Sequence, residues 1–370
     1  MNVLLITCET DSAALSALLP TLQTTKKLNL KVENSADHAY SGEFDIVITH
    51  GHKKHWQFQS RYSQLNSVWG IFDPKPEDLE ITKLCDFLIV GSSEQKQFFM
   101  GYNKQIYVWF MIPEFKSRLV KHYDGGEKIN LIYHGNKIHL NCALPSMIAA
   151  IQALSERYDL KLTLITNKKM LGSWKGLKDK PGFEIIEKNW YPNCYNDYFT
   201  DNSIGLVPFY IPPMKPSGFS SMLRTKIRRR MFLESKHDYV FQIKPSTNPG
   251  RIFVFARFGI PVVTEAVLSS SELIDDGISG KLVLNGEGWY LALEELLLSN
   301  TLRSRLGKAL LLKTEHYFDG KERELSLVQF LNGVSRRAKP VAHVNLQKNN
   351  IKRLVCSEIV NFFKRRIMKL

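Results

Sequence analysis

"KPSTNPGRIFVFARFGIPVVTEAVLSSSELIDDGISG" occupies residues 244–280. Asn248-Pro249 predicts a helix start, because Asn caps exposed backbone amides and Pro is favoured at the first helical position. The helix, near 249–258, follows a loop of small polar residues, Ser246 and Thr247, and runs through Gly259 into the apolar strand "IPVVT" (260–264). Loop, helix and buried strand in that order make one repeat of an α/β sheet. Such a helix start presents free N–H groups and about half a positive charge, which suits a phosphate or diphosphate. Lys244 and Arg251 flank it and can neutralise the same anion. The same residues also fit a capped core helix with two solvated cations.

The unit extends in both directions. "INLIYH" (129–134), a helix near 142–157, "LKLTLIT" (160–166), "FEIIE" (183–187) and "SIGLVPF" (203–209) precede the stretch; "KLVL" (281–284) and helices from about 287 to 333 follow it. The first third repeats the pattern with "NVLLIT" (2–7), "FDIVIT" (44–49), "SVWGIF" (67–72), "DFLIV" (86–90) and "QIYVWF" (105–110). Runs this continuously apolar predict strands buried on both faces, hence parallel sheets covered by crossover helices. Two such units imply a crevice lined by the carboxyl ends of both sets of strands. The boundaries predicted are 1–112 for the first Rossmann-like unit, 113–128 for a linker broken by Pro113 and Gly125-Gly126, and 129–335 for the second. An irregular, arginine-rich insertion at 210–238 and a tail at 336–370 complete the chain.

Composition sets further bounds. At 370 residues, 44% hydrophobic and 11% aromatic, the chain is too long for one typical core and too apolar for general disorder. No run reaches the roughly 18 apolar residues of a membrane-spanning helix, and "MNVLLITCETDS" has neither the basic flank nor the cleavage site of a signal peptide. Cys8, Cys85, Cys142, Cys194 and Cys356 are odd in number and lack zinc-ligand spacing, which points to a reducing cytoplasm. From Ser335 onward ten Lys or Arg face one acid, Glu358, so the tail carries +9 of the net +14. Ile351, Leu354, Val355, Ile359, Phe362, Phe363 and Ile367 gather near one face of that tail. A basic amphipathic helix of this kind binds an anionic membrane surface or packs back on the first unit.

The order "KPS…GR…FARFGIPVVTEAV…SELIDDGISGKLV", followed by "LEELLLSNTLRSRLGKA", resembles the donor domain of GT-B glycosyltransferases of the group 1, family 4-like kind. "INLIYHGNKI" and "FEIIEKNWYPNCYNDYFTDNSIGLVPF" are similar to the phosphate-side and base-side segments of that domain. The resemblance covers roughly 129–315 and extends to the first unit only by architecture. It implies an α/β GT-B fold, two Rossmann-like domains facing across a cleft. It also implies a glycosyltransferase that takes a nucleotide-sugar donor as substrate and needs no other cofactor and no metal. Gly135, Asn136 and Lys137 would then meet the donor phosphates from one side. Lys244, Ser246, Thr247, Asn248, Gly250 and Arg251 would meet them from the other, with Trp190 or Tyr191 near the base. The family's two glutamates, eight positions apart, are replaced by Ser246 and Val254, which leaves the donor and the stereochemical outcome open.

An inverting transfer needs a base for the acceptor hydroxyl, and a retaining one needs charge stabilisation. Candidates stand where the first unit's strands end: Glu9 and Asp11 after the first run, His50 and His52 after "FDIVIT", and Asp73 after "SVWGIF". "HGHKKH" (50–55) lacks the spacing and companions of a zinc site. The expectation is a cytoplasmic enzyme peripheral to the inner face of a bacterial plasma membrane. It would pass sugar to a glycan or glycolipid acceptor in capsule, O-antigen or lipopolysaccharide synthesis. Alternatives are a donor such as a CMP-sugar or a polyol phosphate, or a non-catalytic basic protein that binds nucleic acid. Nucleic acid is not expected, because aromatics are not interleaved with the basic clusters.

Overall fold

Residues 1–7, 13–34, 43–62, 66–113, 120–123, 128–167, 176, 182–191, 194–211, 242–243 and 248–335 are described by a computed structural model. The insertion from 212 onward, the tail and the 244–247 loop read above lie outside them. Contacts gather both sheets into one compact body, Met1–Ile211 with Ile243–Pro340.

The first sheet contains β1 (Asn2–Thr7), β2 (Asn29–Glu33), β3 (Ile46–His50), β4 (Val68–Phe72), β5 (Phe87–Val90) and β6 (Ile106–Val108), all parallel, in the order β2-β1-β3-β4-β5-β6. Its strands are apolar on consecutive residues because both faces are covered: Val3 and Leu5 enter one core cluster, Leu4 and Ile6 the opposite one. The edge strand β2 was missed in the sequence. Its residues are exposed or half-buried, so "NLKVE" carries no apolar run to read.

The chain continues with β7 (Ile129–His134), β8 (Leu160–Thr166), β9 (Phe183–Asn189) and β10 (Ser203–Val207). Two short strands, β11 (Tyr210–Ile211) and β12 (Gln242–Ile243), stand on either side of 212–241, and β13 (Val262–Glu265) and β14 (Lys281–Val283) follow. The second sheet has the order β14-β13-β10-β7-β8-β9, again all parallel. Leu131 and Tyr133 of β7 face one cluster and Ile132 the other. The helix Gly250–Arg257 buries Ile252 through Ala256 beneath this sheet.

In both sheets the order reverses once. The chain leaves β1 for β2 on one side and β3 on the other, and it leaves β7 for β8 on one side and β10 on the other. Each reversal opens a crevice at the carboxyl ends of the two central strands, where open α/β sheets bind ligands. The two carboxyl edges meet: Glu94, just beyond β5, accepts a hydrogen bond from the Ser269 amide (2.8 Å) and another from its hydroxyl, just beyond β13. Ser93 Oγ donates to Glu272 at 2.6 Å alongside.

The last helix among the described residues, Gly320–Gly333, read above with the second unit, places Leu327, Val328 and Leu331 in the core of the first sheet. Arg323 sets its guanidinium 3.9 Å from the Trp109 ring centre and donates to the Phe110 carbonyl at 2.8 Å. Among the described residues no helix is long and apolar enough to cross a membrane.

Candidate functional site

β7 ends at His134, and Gly135 turns the chain at φ +136°. A Cβ there would lie 3.1 Å from the Tyr133 hydroxyl and 3.5 Å from Arg251 Cδ, so glycine lets the loop close onto the start of helix Gly250–Arg257. Arg251 Nη2 donates to the carbonyl of Pro208, just beyond β10, at 2.6 Å. Its guanidinium carbon lies 4.9 Å from the Phe209 ring centre and 5.9 Å from that of Tyr133. Arg251 therefore bridges the two strands that flank the second crevice. Its Nη1 is buried and has no hydrogen-bond partner among the described residues. Burial makes its charge harder to hold, while Tyr133 and Glu265 oppose that shift.

The carboxylate behind this group is Glu265, at the end of β13. It accepts from the amides of Phe209 and Tyr210, the latter at 2.6 Å, and burial raises its pKa despite those bonds. Glu265 thus holds the loop whose carbonyl engages Arg251. Beside it, His134 packs between the rings of Tyr195 and Phe255 at 5.1 and 5.0 Å. Its pKa falls to about 3, chiefly through burial and secondly through the Arg251 charge, so it is neutral.

The predicted donor residues separate on inspection. Gly135, Asn136, Asn248, Gly250 and Arg251 gather near this crevice: Tyr133 donates to the Asn136 carbonyl at 2.7 Å, and Asn248 Oδ1 accepts the Gly250 amide at 2.8 Å. Gly250 has a packing reason as well, since a Cβ would lie 2.8 Å from the Met111 carbonyl oxygen. Lys137 departs from its expected role as a cation free to meet phosphate. It is 3% exposed, and its ammonium pairs with Glu187 of β9 at 3.2 Å. Trp190 follows β9, two strand spacings or about 10 Å from β7; it is 41% exposed and donates to the Tyr195 hydroxyl at 3.0 Å. Lys244, Ser246 and Thr247 lie outside the described residues. Val254, in the position of a family glutamate, is buried in the core.

At the first crevice the two histidines part company. His50 is the last residue of β3 and 3% exposed, with Nδ1 3.0 Å from Thr7 Oγ1 and its ring 5.5 Å from that of Phe72. Burial in the sheet removes it from the bases that can meet an acceptor. His52 lies one turn beyond, after Gly51 at φ +92°, and opens the helix His52–Tyr62 with its side chain 49% exposed. Its Nδ1 hydrogen-bonds Asp78, which is 1% exposed. Glu9 and Asp11 lie outside the described residues. Among the described residues, no group of His, Cys, Asp and Glu is placed to hold a metal ion.

No family model matches the sequence, and no curated protein matches it by sequence. Solved structures match its shape. Sucrose-phosphate synthase from Thermosynechococcus elongatus aligns at TM-score 0.58 and 11% identity, over 90% of this chain and 98% of that one. HepE from Anabaena, solved in complex with UDP, aligns at 0.57 and 11%, over 90% and 100%. The apo lipopolysaccharide outer core galactosyltransferase WaaB aligns at 0.54 and 12%, over 90% and 99%. The fold is GT-B.

Within the GT-B frame, three side chains of the two crevices were missed in the sequence: Asp78, Glu265 and Gln95. Each acts through a partner distant in the chain. Gln95 Nε2 donates to the Pro74 carbonyl (2.6 Å) and to Asp73 (3.2 Å), while its Oε1 accepts the Gly91 amide at 2.6 Å. A Cβ on Gly91 would in turn lie 3.4 Å from Asn248 Nδ2. The 73–78 loop of the first crevice is thereby held beside the Gly250 helix of the second. The one available signal was local: Asp73 and Asp78 occupy the Pro-rich segment that follows β4.

Proposed function

We propose that the protein is a glycosyltransferase that moves a sugar from a nucleotide-activated donor to a lipid-linked or polysaccharide acceptor in bacterial envelope glycan synthesis. The observation that carries this is Arg251. A guanidinium whose buried Nη1 has no partner among the described residues sits at a helix start, at the strand-order reversal of the second sheet, under a glycine loop. A guanidinium in this setting suits a diphosphate, because fixed donors and the helix dipole both favour negative charge. HepE, of the same fold, was solved with UDP and with UDP and glucose, and WaaB acts on lipopolysaccharide outer core; both agree with this reading. The donor domain is the second unit, the acceptor domain is the first, and no cofactor beyond the donor is called for. The basic tail gives the enzyme a hold on the anionic inner face of the plasma membrane.

Val254 is buried and offers no acceptor to a ribose, which favours keeping CMP-linked and polyol-phosphate donors in the comparison. A thermal-shift screen of UDP, GDP, CMP and dTDP species tests the proposal. Stabilisation by at least one is expected, because a ligand that binds only the folded state raises its stability. A flat response to all of them overturns the donor site.

A further inference from the structure

We infer that the Lys137–Glu187 pair sets the class of donor: it withdraws Lys137 from the phosphate site, leaves Arg251 to hold one phosphoryl group, and so fits a sugar activated by a nucleoside monophosphate. The inference rests on the glycosyltransferase reading above and narrows it. Arg251 by itself suits a monophosphate as well as a diphosphate. The charges and N–H donors that stand beside it decide between the two.

Lys137 is turned away from the crevice. Its backbone opens the helix Lys137–Cys142, two residues past Gly135. Its ammonium, however, lies 3.2 Å from Glu187 of β9. Glu187 is in register with Leu164 of β8, which is in register with Tyr133 of β7. β9 is two strand spacings, about 10 Å, from β7. Arg251 reaches instead across the other flank of β7, to the carbonyl of Pro208 just beyond β10. The two cations therefore stand on opposite sides of β7. The phosphorus atoms of a diphosphate share one oxygen, so both have to sit beside a single guanidinium. Lys137 is 3% exposed, and a buried ammonium parted from its carboxylate is strongly disfavoured, which keeps the pair closed.

Several other donors at the crevice are already spent. Gly135 gives its amide to the Ile165 carbonyl at 3.0 Å, Ile252 to the Pro249 carbonyl at 2.8 Å and Gly250 to Asn248 Oδ1 at 2.8 Å. His134, neutral beneath the loop, adds no charge. Lys75, on the first-crevice loop held beside the Gly250 helix, is paired with Asp73. Residues 8–12, which follow β1, include Glu9 and Asp11 and no Lys or Arg. A second phosphoryl group would bring another negative charge into this setting with Arg251 already engaged by the first.

In the transfer this implies, the bond from the anomeric carbon to the phosphate oxygen breaks, and its electron pair leaves on the nucleoside monophosphate. The acceptor hydroxyl oxygen bonds to that carbon, and the hydroxyl proton is released to water.

Isothermal titration of the full chain with CMP against CDP, UMP against UDP and GMP against GDP tests this, because each pair differs by one phosphoryl group. For the base that binds, the diphosphate is expected to gain less than about fivefold over the monophosphate. A larger gain overturns the inference and leaves the transferase reading standing; a second cation supplied by Lys244, outside the described residues, would show itself in that way. Glu187→Gln is the second arm. It keeps the shape of the side chain and releases the ammonium. The ratio of diphosphate to monophosphate affinity should then rise about tenfold, the size of one charge-assisted hydrogen bond, and adding Lys137→Met should cancel the rise. Damage to the fold lowers both affinities together and leaves their ratio alone, so an unchanged ratio in Glu187→Gln overturns the role of the pair. If none of the six nucleotides binds, the transferase reading falls and takes the inference with it.

Discussion

Both carboxylate oxygens of Glu94 accept hydrogen bonds from one residue, Ser269, whose amide and hydroxyl are 175 positions away on the other sheet's edge. Glu94 stands in the first turn of the helix Ser93–Phe99, and Ser269 in the first turn of Leu268–Leu273, so one negative charge meets the positive ends of two helices. Hydrogen bonds to a charged group contribute about 1.5–3 kcal/mol each, and a buried donor left without an acceptor costs a comparable amount. Glu94→Ala should therefore destabilise the fold by about 2–4 kcal/mol in urea titration. It should also enlarge the radius of gyration measured by X-ray scattering, because the two edges lose their clamp. A loss below about 0.5 kcal/mol, the usual size of a surface substitution, would deny the contact its role.

Arg251 serves packing as well as charge, so its removal should not be silent in the fold. Arg251→Ala deletes the bond to the Pro208 carbonyl and the stacking over Phe209, a loss of about 1–3 kcal/mol. Arg251→Lys keeps the charge but not the planar fork. The expected order of nucleotide-induced shifts in melting temperature is wild type, then Lys, then Ala with no shift. An alanine variant that keeps the full shift would move the diphosphate elsewhere.

The contrast between what the sequence exposed and what it hid follows from distance along the chain. β7 and β8 were legible to the residue because a parallel strand covered on both faces has to be mostly apolar, and "INLIYH" and "LKLTLIT" are. β2 broke that rule by lying at an edge. At the crevices, Gly135 and Arg251 could be named because residue type and local setting mark them. Their convergence could not, since Arg251 meets Pro208 across 43 positions. His50 and His52 looked alike in the sequence. The end of β3 falls between them, so the first is packed into the sheet and the second is delivered to its edge by Gly51. Asp78 had no local signature, because its meaning comes from a histidine 26 positions earlier.

Glycine positions give a sharper test of the packing around the second crevice. At Gly250 a Cβ would meet the Met111 carbonyl at 2.8 Å, a backbone atom that cannot rotate away. At Gly101 nothing lies within 4 Å. Gly250→Ala should cost about 1–3 kcal/mol and weaken nucleotide binding through displacement of the neighbouring Arg251. Gly101→Ala should be close to neutral. Equal effects at the two positions in chemical denaturation would mean that the helix start does not rest on the Met111 carbonyl.

The buried histidines predict how stability depends on pH. His55 and His134 have folded pKa values lowered from 6.5 to about 3, in each case mainly by burial. The second cause is the neighbouring His50 for His55 and Arg251 for His134. Above about pH 6.5 both sites are neutral in the folded and unfolded chain, and neither contributes to a pH dependence. Below it the unfolded chain takes up a proton at each site that the folded chain refuses, so stability falls with pH until about pH 3, at up to about 1.4 kcal/mol per pH unit for each histidine. Urea midpoints measured from about pH 7 down to about pH 5 should decline steeply. His134→Phe, which keeps the ring packing against Tyr195 and Phe255, should remove about half of that slope, and adding His55→Gln should remove most of the rest. If the single and double variants keep the wild-type slope, the protons are being taken up elsewhere and neither histidine is held neutral by the fold.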